Sequence, residues 1–202
     1  MQNKLTFTRR DFGAGFAAGA IFLALPQMAY ALTVDGARTL VGRTVDGVNG
    51  IINSGKSESA MLKDFERLFA RYADVPVIAR SALGVAAKSA SKAQMSAFTK
   101  SFQGYISRKY GRRFREFIGG RIEVTDAKPL KSYFEVVSVA YLQGESPFDL
   151  RWHVSDKSGK DLFFNIIIEG VNMLASERAE IGALLDQRKG NLDQLIADLK
   201  SL

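Results

Sequence analysis

The sequence predicts an α+β domain in which N-terminal helices pack on one face of a curved antiparallel sheet and further helices close the chain. Three observations lead there. Apolar residues recur every three or four positions as far as Phe117; the period changes to two after Gly119-Gly120; the helical spacing returns after Ser176.

Residues 1–31 precede the domain. Thr8-Arg9-Arg10-Asp11-Phe12 makes a basic head, a weakly apolar run follows from Gly13 to Leu25, and Ala29-Tyr30-Ala31 is a small-x-small site. This is the pattern of a cleaved twin-arginine signal peptide, cut between Ala31 and Leu32. As a membrane span the run is too short, since about 18 apolar residues are needed. The expectation is a single domain over residues 32–202, working in a bacterial periplasm. Of the +7 net charge, Lys4, Arg9 and Arg10 against Asp11 carry +2, which leaves +5. Export argues against nucleic acid as the partner of this basic chain and leaves anionic membranes or acidic proteins. There is no cysteine, hence no disulfide, no thiolate metal site and no lipoprotein anchor.

The first helix is read from Ala37, Leu40, Val41, Thr44, Val45, Val48, Ile51 and Ile52, and it ends at Asn53-Ser54-Gly55. Met61, Leu62, Phe65, Leu68, Phe69 and Tyr72 form a second stripe. Asp74 with Pro76 opens a short third helix running towards Gly84. Ser91 and Gln94 have capping-box spacing. They start a long helix, predicted to reach Phe117, through Met95, Phe98, Phe102, Ile106, Tyr110, Phe114 and Phe117. Strands are predicted at Ile122–Val124, at Tyr133–Leu142, at Phe148–Ser155 and at Leu162–Glu169, with a hairpin turn at Asp156-Lys157-Ser158-Gly159. Ser176 is expected to cap the next helix and Gly190 to end it. Asn191 with Gln194 starts the last.

Catalytic chemistry is sparse. The one histidine, His153, falls on the polar side of an alternating strand and reads as a surface residue. No metal spacing, phosphate loop or nucleophile elbow is present, and no cofactor is expected. Glu135 and Glu169 sit in apolar strand context, where burial raises a carboxylate's pKa. An enzyme with either as base on an apolar substrate is the alternative reading, distinguished by a carboxylate at a cavity floor without a cationic partner. A third is a membrane-docking adaptor with a filled core. Arg108, Arg112 and Arg115 share one face of the long helix, suited to lipid headgroups, to an acidic partner or to solvent.

Trp152-His153-Val154-Ser155-Asp156-Lys157-Ser158-Gly159, followed by Ile166-Ile167-Ile168-Glu169-Gly170-Val171-Asn172-Met173, resembles the signature end of the MlaC family. Arg178, Ile181, Gly190, Leu195 and Ile196 continue the pattern, and Asp74, Ala79-Arg80 and Leu83-Gly84 correspond upstream. The chain departs from it at Val85-Ala86-Ala87, where the family often has aromatic residues. A second departure is Ser176-Glu177, where Asn-Tyr is common. The resemblance implies a cystatin/NTF2-like, non-enzymatic carrier of a phospholipid, or of another apolar lipid such as a hopanoid. It implies as partners an inner-membrane ABC transporter with an MCE-domain subunit and an outer-membrane lipoprotein complex. On that reading Phe102, Ile106, Tyr110 and Phe114 of the long helix and Phe134, Phe148, Leu150, Trp152, Val154, Ile166 and Ile168 of the sheet line an apolar cavity. Its volume is expected near the top of the usual ~300–1,000 Å³ range. Arg108, Arg112 and Arg115 are then the residues for a headgroup or for partner docking.

Overall fold

Thr33 starts the first helix, α1 (Val34–Ile52): its hydroxyl accepts the Gly36 amide at 3.0 Å, a donor the helix itself leaves unpaired. The structure, a computed structural model, describes residues 31–202, the side chains of Phe114 and Arg115 excepted. The predicted signal peptide, with Arg9, Arg10 and the Ala29-Tyr30 part of its cleavage site, lies outside the described residues. Along α1 the stripe Ala37, Val41, Thr44, Val45, Val48 and Ile52 is buried, as its spacing predicts.

Ser57 caps α2 (Glu58–Tyr72) and Asp74 caps α3 (Val75–Leu83), whose first turn holds Pro76. The Asp74 amide also donates to the Phe163 carbonyl at 2.8 Å, which ties the start of α3 to the sheet. The capping box forms reciprocally. Gln94 N–H donates to Ser91 Oγ and Ser91 N–H donates to Gln94 Oε1, both at 3.1 Å, and α4 (Lys92–Arg113) follows. That helix is shorter than predicted. From Phe114 to Phe117 the chain tightens into a 3-10 turn, then the Gly120 amide bonds the Phe117 carbonyl at 2.9 Å. Tightening a last turn in this way pairs carbonyls that an α-helix end leaves free.

The sheet is an antiparallel meander in the order β1 (Arg121–Pro129), β2 (Phe134–Tyr141), β3 (Phe148–Ser155), β4 (Leu162–Ile168) and β5 (Val171–Asn172). Val136 pairs with Trp152 and Ser138 with Leu150. The Trp152 Nε1–H donates to Ser138 Oγ at 2.9 Å, so the indole's one polar group is satisfied inside the core. Bulges at Val124/Asp126 and His153/Val154 bend the sheet. β5 is not expected from the sequence. A turn at Glu169-Gly170, both with positive φ, cuts the returning strand short and leaves Glu169 exposed instead of in a strand. The cap of α5 (Met173–Gln187) is Asn172, which accepts the Ala175 amide at 3.1 Å. Ser176 lies inside the helix and bonds back to the Asn172 carbonyl. Asn191 caps α6 (Leu192–Asp198) after Gly190, as predicted.

The helix lying on the sheet is α1, across β1 and β2, where the Asn49 amide pairs in both directions with the Ile122 backbone at 3.0 Å. The sequence sets α4 there. Instead α4 packs mainly against α2, α3 and α6, with Phe98 and Phe102 stacked at 5.6 Å. The buried face of α1 is mostly Ala and Val, short enough for close approach to a sheet, whereas the α4 aromatics need the wider space among helices. The fold is thus α+β, with α1 covering β1 and β2, α3 and α5 reaching β4, and α2, α4 and α6 packed among the helices.

Gly84 ends α3 at φ 64 and ψ −127, a backbone conformation costly for any residue with a Cβ. A Cβ there also comes within 3.2 Å of Arg178 Nε on α5. Gly84→Ala is expected to destabilise the fold by about 1–3 kcal/mol, read as a lower denaturant midpoint at constant slope. An unmoved midpoint would show that the position tolerates a side chain.

Candidate functional site

α4 does not fill the space between itself and the sheet. A cavity of about 180 Å³ lies there, with Ile106 and Tyr110 of α4 on one side and Trp152, Ile166 and Ile168 of the sheet on the other. Phe65, Leu68 and Phe69 of α2 and Leu174 of α5 complete the walls. α2 can lie close to α4 because Gly111 has no side chain: a Cβ there would collide with Leu62 Cδ2.

Besides the Tyr110 hydroxyl and the Trp152 indole N–H, four polar side chains reach this wall, and each makes at least one hydrogen bond. The Thr44 hydroxyl donates to the Leu40 carbonyl at 2.9 Å and the Ser107 hydroxyl to the Gln103 carbonyl at 2.8 Å. Asn165 Oδ1 accepts the Leu174 amide at 3.1 Å, and its Nδ2 lies 3.3 Å from His153 Nδ1. The fourth is Glu177 of α5. Its Oε1 accepts from Lys109 Nζ at 2.7 Å and from the Tyr110 hydroxyl. Lys109 also bonds Glu180, which in turn accepts from the Tyr105 hydroxyl.

Four groups of this cluster are shifted from their ordinary values. Burial and the neighbouring Glu177 push Tyr110 well above the usual phenol range, and burial and Glu180 do the same to Tyr105, so both remain neutral donors. Burial alone would lower Lys109, but its bonds to Glu177 and Glu180 outweigh that and raise it. For Glu180 burial opposes, and the Lys109 and Tyr105 bonds prevail, holding its carboxyl below the ordinary value.

Of the residues singled out from the sequence, Ile106, Tyr110, Trp152, Ile166 and Ile168 come together in the cavity wall. Phe102, Leu150 and Val154 are buried in the surrounding core and not in that wall. Phe134 and Phe148 are half-buried, Phe148 edge-on to Phe117 at 6.3 Å, and the Phe114 side chain lies outside the described residues. The volume is below the expected range. Sequence reasoning missed the α2 wall and Glu177. A signal for Glu177 existed, because it falls between Leu174 and Ile181 on the inward stripe of α5.

Arg108 is half-buried and donates to the Leu199 carbonyl at 2.6 Å, satisfying the end of α6. Arg112 is exposed, neither residue lines the cavity, and the Arg115 side chain lies outside the described residues.

Strand alternation puts Glu135 and His153 on the face away from Val136 and Trp152. His153 is not a surface residue. It is buried against Tyr133 at 4.6 Å and Phe164 at 5.8 Å, because this end of the sheet carries rings on its second face too. Burial lowers its pKa against the pull of Glu135. Glu135 is buried with Lys128 Nζ at 3.1 Å and His153 Nε2 at 3.6 Å. Neither Glu135 nor Glu169 is in the cavity wall, and Glu135 has cationic company, so the arrangement required of a base on an apolar substrate is not met by either. Among the described residues no group of three His, Asp or Glu is placed to hold a metal ion, and no helix is long and apolar enough to cross a membrane.

Residues 42–201 match the sequence signature of the family described as MlaC protein. Among solved structures, a phospholipid-binding protein from Ralstonia solanacearum, determined in complex with a phospholipid, shares the fold. Its TM-score is 0.67 at 18% identity, over 81% of this chain and 98% of that one.

Proposed function

Since the chain belongs to the MlaC family, we propose that it is a carrier which holds a phospholipid or related apolar lipid by its tails in the cavity beside α4 and moves it between membranes. The observation that carries this reading is a cavity walled mainly by hydrocarbon, whose polar side chains all hydrogen-bond within the protein, Glu177 Oε2 being the one buried atom of theirs without a partner among the described residues. Such a wall offers an acyl tail extensive apolar contact. Exposing two tails of about fifteen methylenes each to water costs on the order of 20 kcal/mol. A lipid therefore crosses an aqueous gap only with that surface covered.

The cavity must widen to do this. A void of about 150 Å³ accommodates only a benzene, and two tails are several times larger. The seam between α2 and α4 is where we place the opening, since it closes over glycine and the flexible end of Leu62.

On the same reading, residues 1–31 are a twin-arginine signal and the working domain begins at Leu32 in the periplasm. The Leu32 nitrogen lies 3.0 Å from Asp156 Oδ2. Cleavage before Leu32 converts that amide into an ammonium facing a carboxylate, a stronger charge-assisted bond. The proposed partners are an inner-membrane ABC transporter with an MCE-domain subunit and an outer-membrane lipoprotein complex. Arg112 is an exposed member of the basic face and is proposed for docking to them.

Protein recovered from the periplasm is expected to begin at Leu32 and to release one phospholipid per chain on extraction, read by native mass spectrometry. A chain recovered from that compartment free of lipid would overturn the carrier reading. One retaining residues 1–31 would overturn the signal.

A further inference from the structure

Glu177 is the exception in the wall. Its side chain is 4% exposed, both of its bonds fall on Oε1, and Oε2 is buried without a hydrogen-bond partner among the described residues. A carboxylate offers about four acceptor sites, and a buried acceptor left empty is costly. Thr44, Ser107 and Asn165 direct their hydrogen bonds to Leu40, Gln103, Leu174 and His153, and none of them reaches Oε2.

Lipid tails do not answer it either, since hydrocarbon has no donor and ester oxygens only accept. The partner has to bring an O–H or N–H. The position suits a polar end. Within one turn of α5 the cluster passes from Glu177 in the wall, through Lys109 at 28% exposure, to Glu180 at 45%, so it joins the cavity to the surface. Two carboxylates share one ammonium there, and that surplus of negative charge favours a donor group over an anionic one.

Building on the carrier reading, we propose that Glu177 selects cargo: its free Oε2 receives a hydrogen bond from an O–H or N–H donor on the lipid's polar end. Tyr110 and Lys109 orient the carboxylate and occupy its other oxygen. Ammonium and hydroxyl headgroups share this donor chemistry, whereas a trimethylammonium headgroup lacks it.

The test loads delipidated protein from vesicles of equal parts phosphatidylcholine, phosphatidylethanolamine and phosphatidylglycerol with identical tails, and reads bound lipid by native mass spectrometry. Wild type is expected to enrich phosphatidylethanolamine, phosphatidylglycerol or both over phosphatidylcholine by roughly tenfold, the worth of a hydrogen bond to a charged group. Enrichment of the first alone assigns an ammonium donor, and of the second alone a hydroxyl. Glu177→Leu is expected to take up lipid without enrichment. Should it fail to fold, Glu177→Gln, which keeps an acceptor oxygen and loses the charge, is expected to reduce enrichment to a few-fold. Equal uptake of all three lipids by wild type, or undiminished enrichment in the folded variant, would overturn the selection proposal while the carrier reading stands. If wild type binds none of the three, both are overturned.

Discussion

Replacing Ile106 with tryptophan is expected to reduce lipid retention by tenfold or more while leaving the fold at least as stable as before. Ile106 faces Trp152, Ile166 and Ile168 across the cavity, and a larger ring at that point occupies space the tails need. Filling a void adds contacts to its lining, so the thermal midpoint should hold or rise. Phe102→Ala is the control. That ring is fully buried and stacked on Phe98 in the core, outside the cavity wall, and its loss should cost about 3–5 kcal/mol of stability with lipid content per folded chain unchanged. Lipid extraction of both variants beside their melting curves separates pocket from core. Undiminished lipid in folded Ile106→Trp would remove this cavity from the binding reading.

The other large effect is on stability. Lys109→Met leaves Glu177 buried with Tyr110 as its remaining donor, and breaking a buried pair on one side costs about 3–5 kcal/mol. The pH dependence has a definite sign. Lys109 is raised, so its contribution is complete below the unfolded lysine value near ~10.4 and disappears only as pH rises through the still higher folded value. Glu180 is lowered, so its contribution is present above the unfolded carboxylate value near ~4.3 and disappears as pH falls through the lower folded value. Between those limits the gap between wild type and variant should stay constant; towards acid it should narrow. Denaturant midpoints from pH 3 to pH 9 read this directly. A gap below about 1 kcal/mol, the range of an exposed pair, would mean that water already screens the cluster.

The elements were legible because their signals are local. Helix stripes, the Ser91–Gln94 box, the Asp74 and Asn191 caps and the strand alternation at Phe148–Ser155 each depend on residues within a few positions of one another. Boundaries failed where a turn outweighed periodicity, as at Glu169-Gly170 and in the 3-10 turn after Arg113.

Part of the cavity was legible for the same reason. Trp152, Ile166 and Ile168 point one way by strand alternation, and Ile106 and Tyr110 lie on the apolar stripe of one helix. Periodicity says which way a side chain faces and not what it meets. Phe102, Leu150 and Val154 carry the same signal as the cavity residues and end in the core. Glu135 and His153 share that limit: alternation marked a polar face, and only the rings of Tyr133 and Phe164 closing over it buried the histidine.

By itself the sequence determined the order of the helices and of the four long strands, the α+β class and, through the residues from Trp152 to Met173, the family, because each is written in adjacent residues. Tertiary structure decided that α1 and not α4 lies on the sheet, that α2 closes the cavity, and that Lys109, 68 positions away, pairs with the Glu177 that reaches its wall. The reason is physical: helix packing depends on side-chain shapes from several distant segments at once, and a charge becomes costly or useful only when the neighbours that exclude water from it are in place.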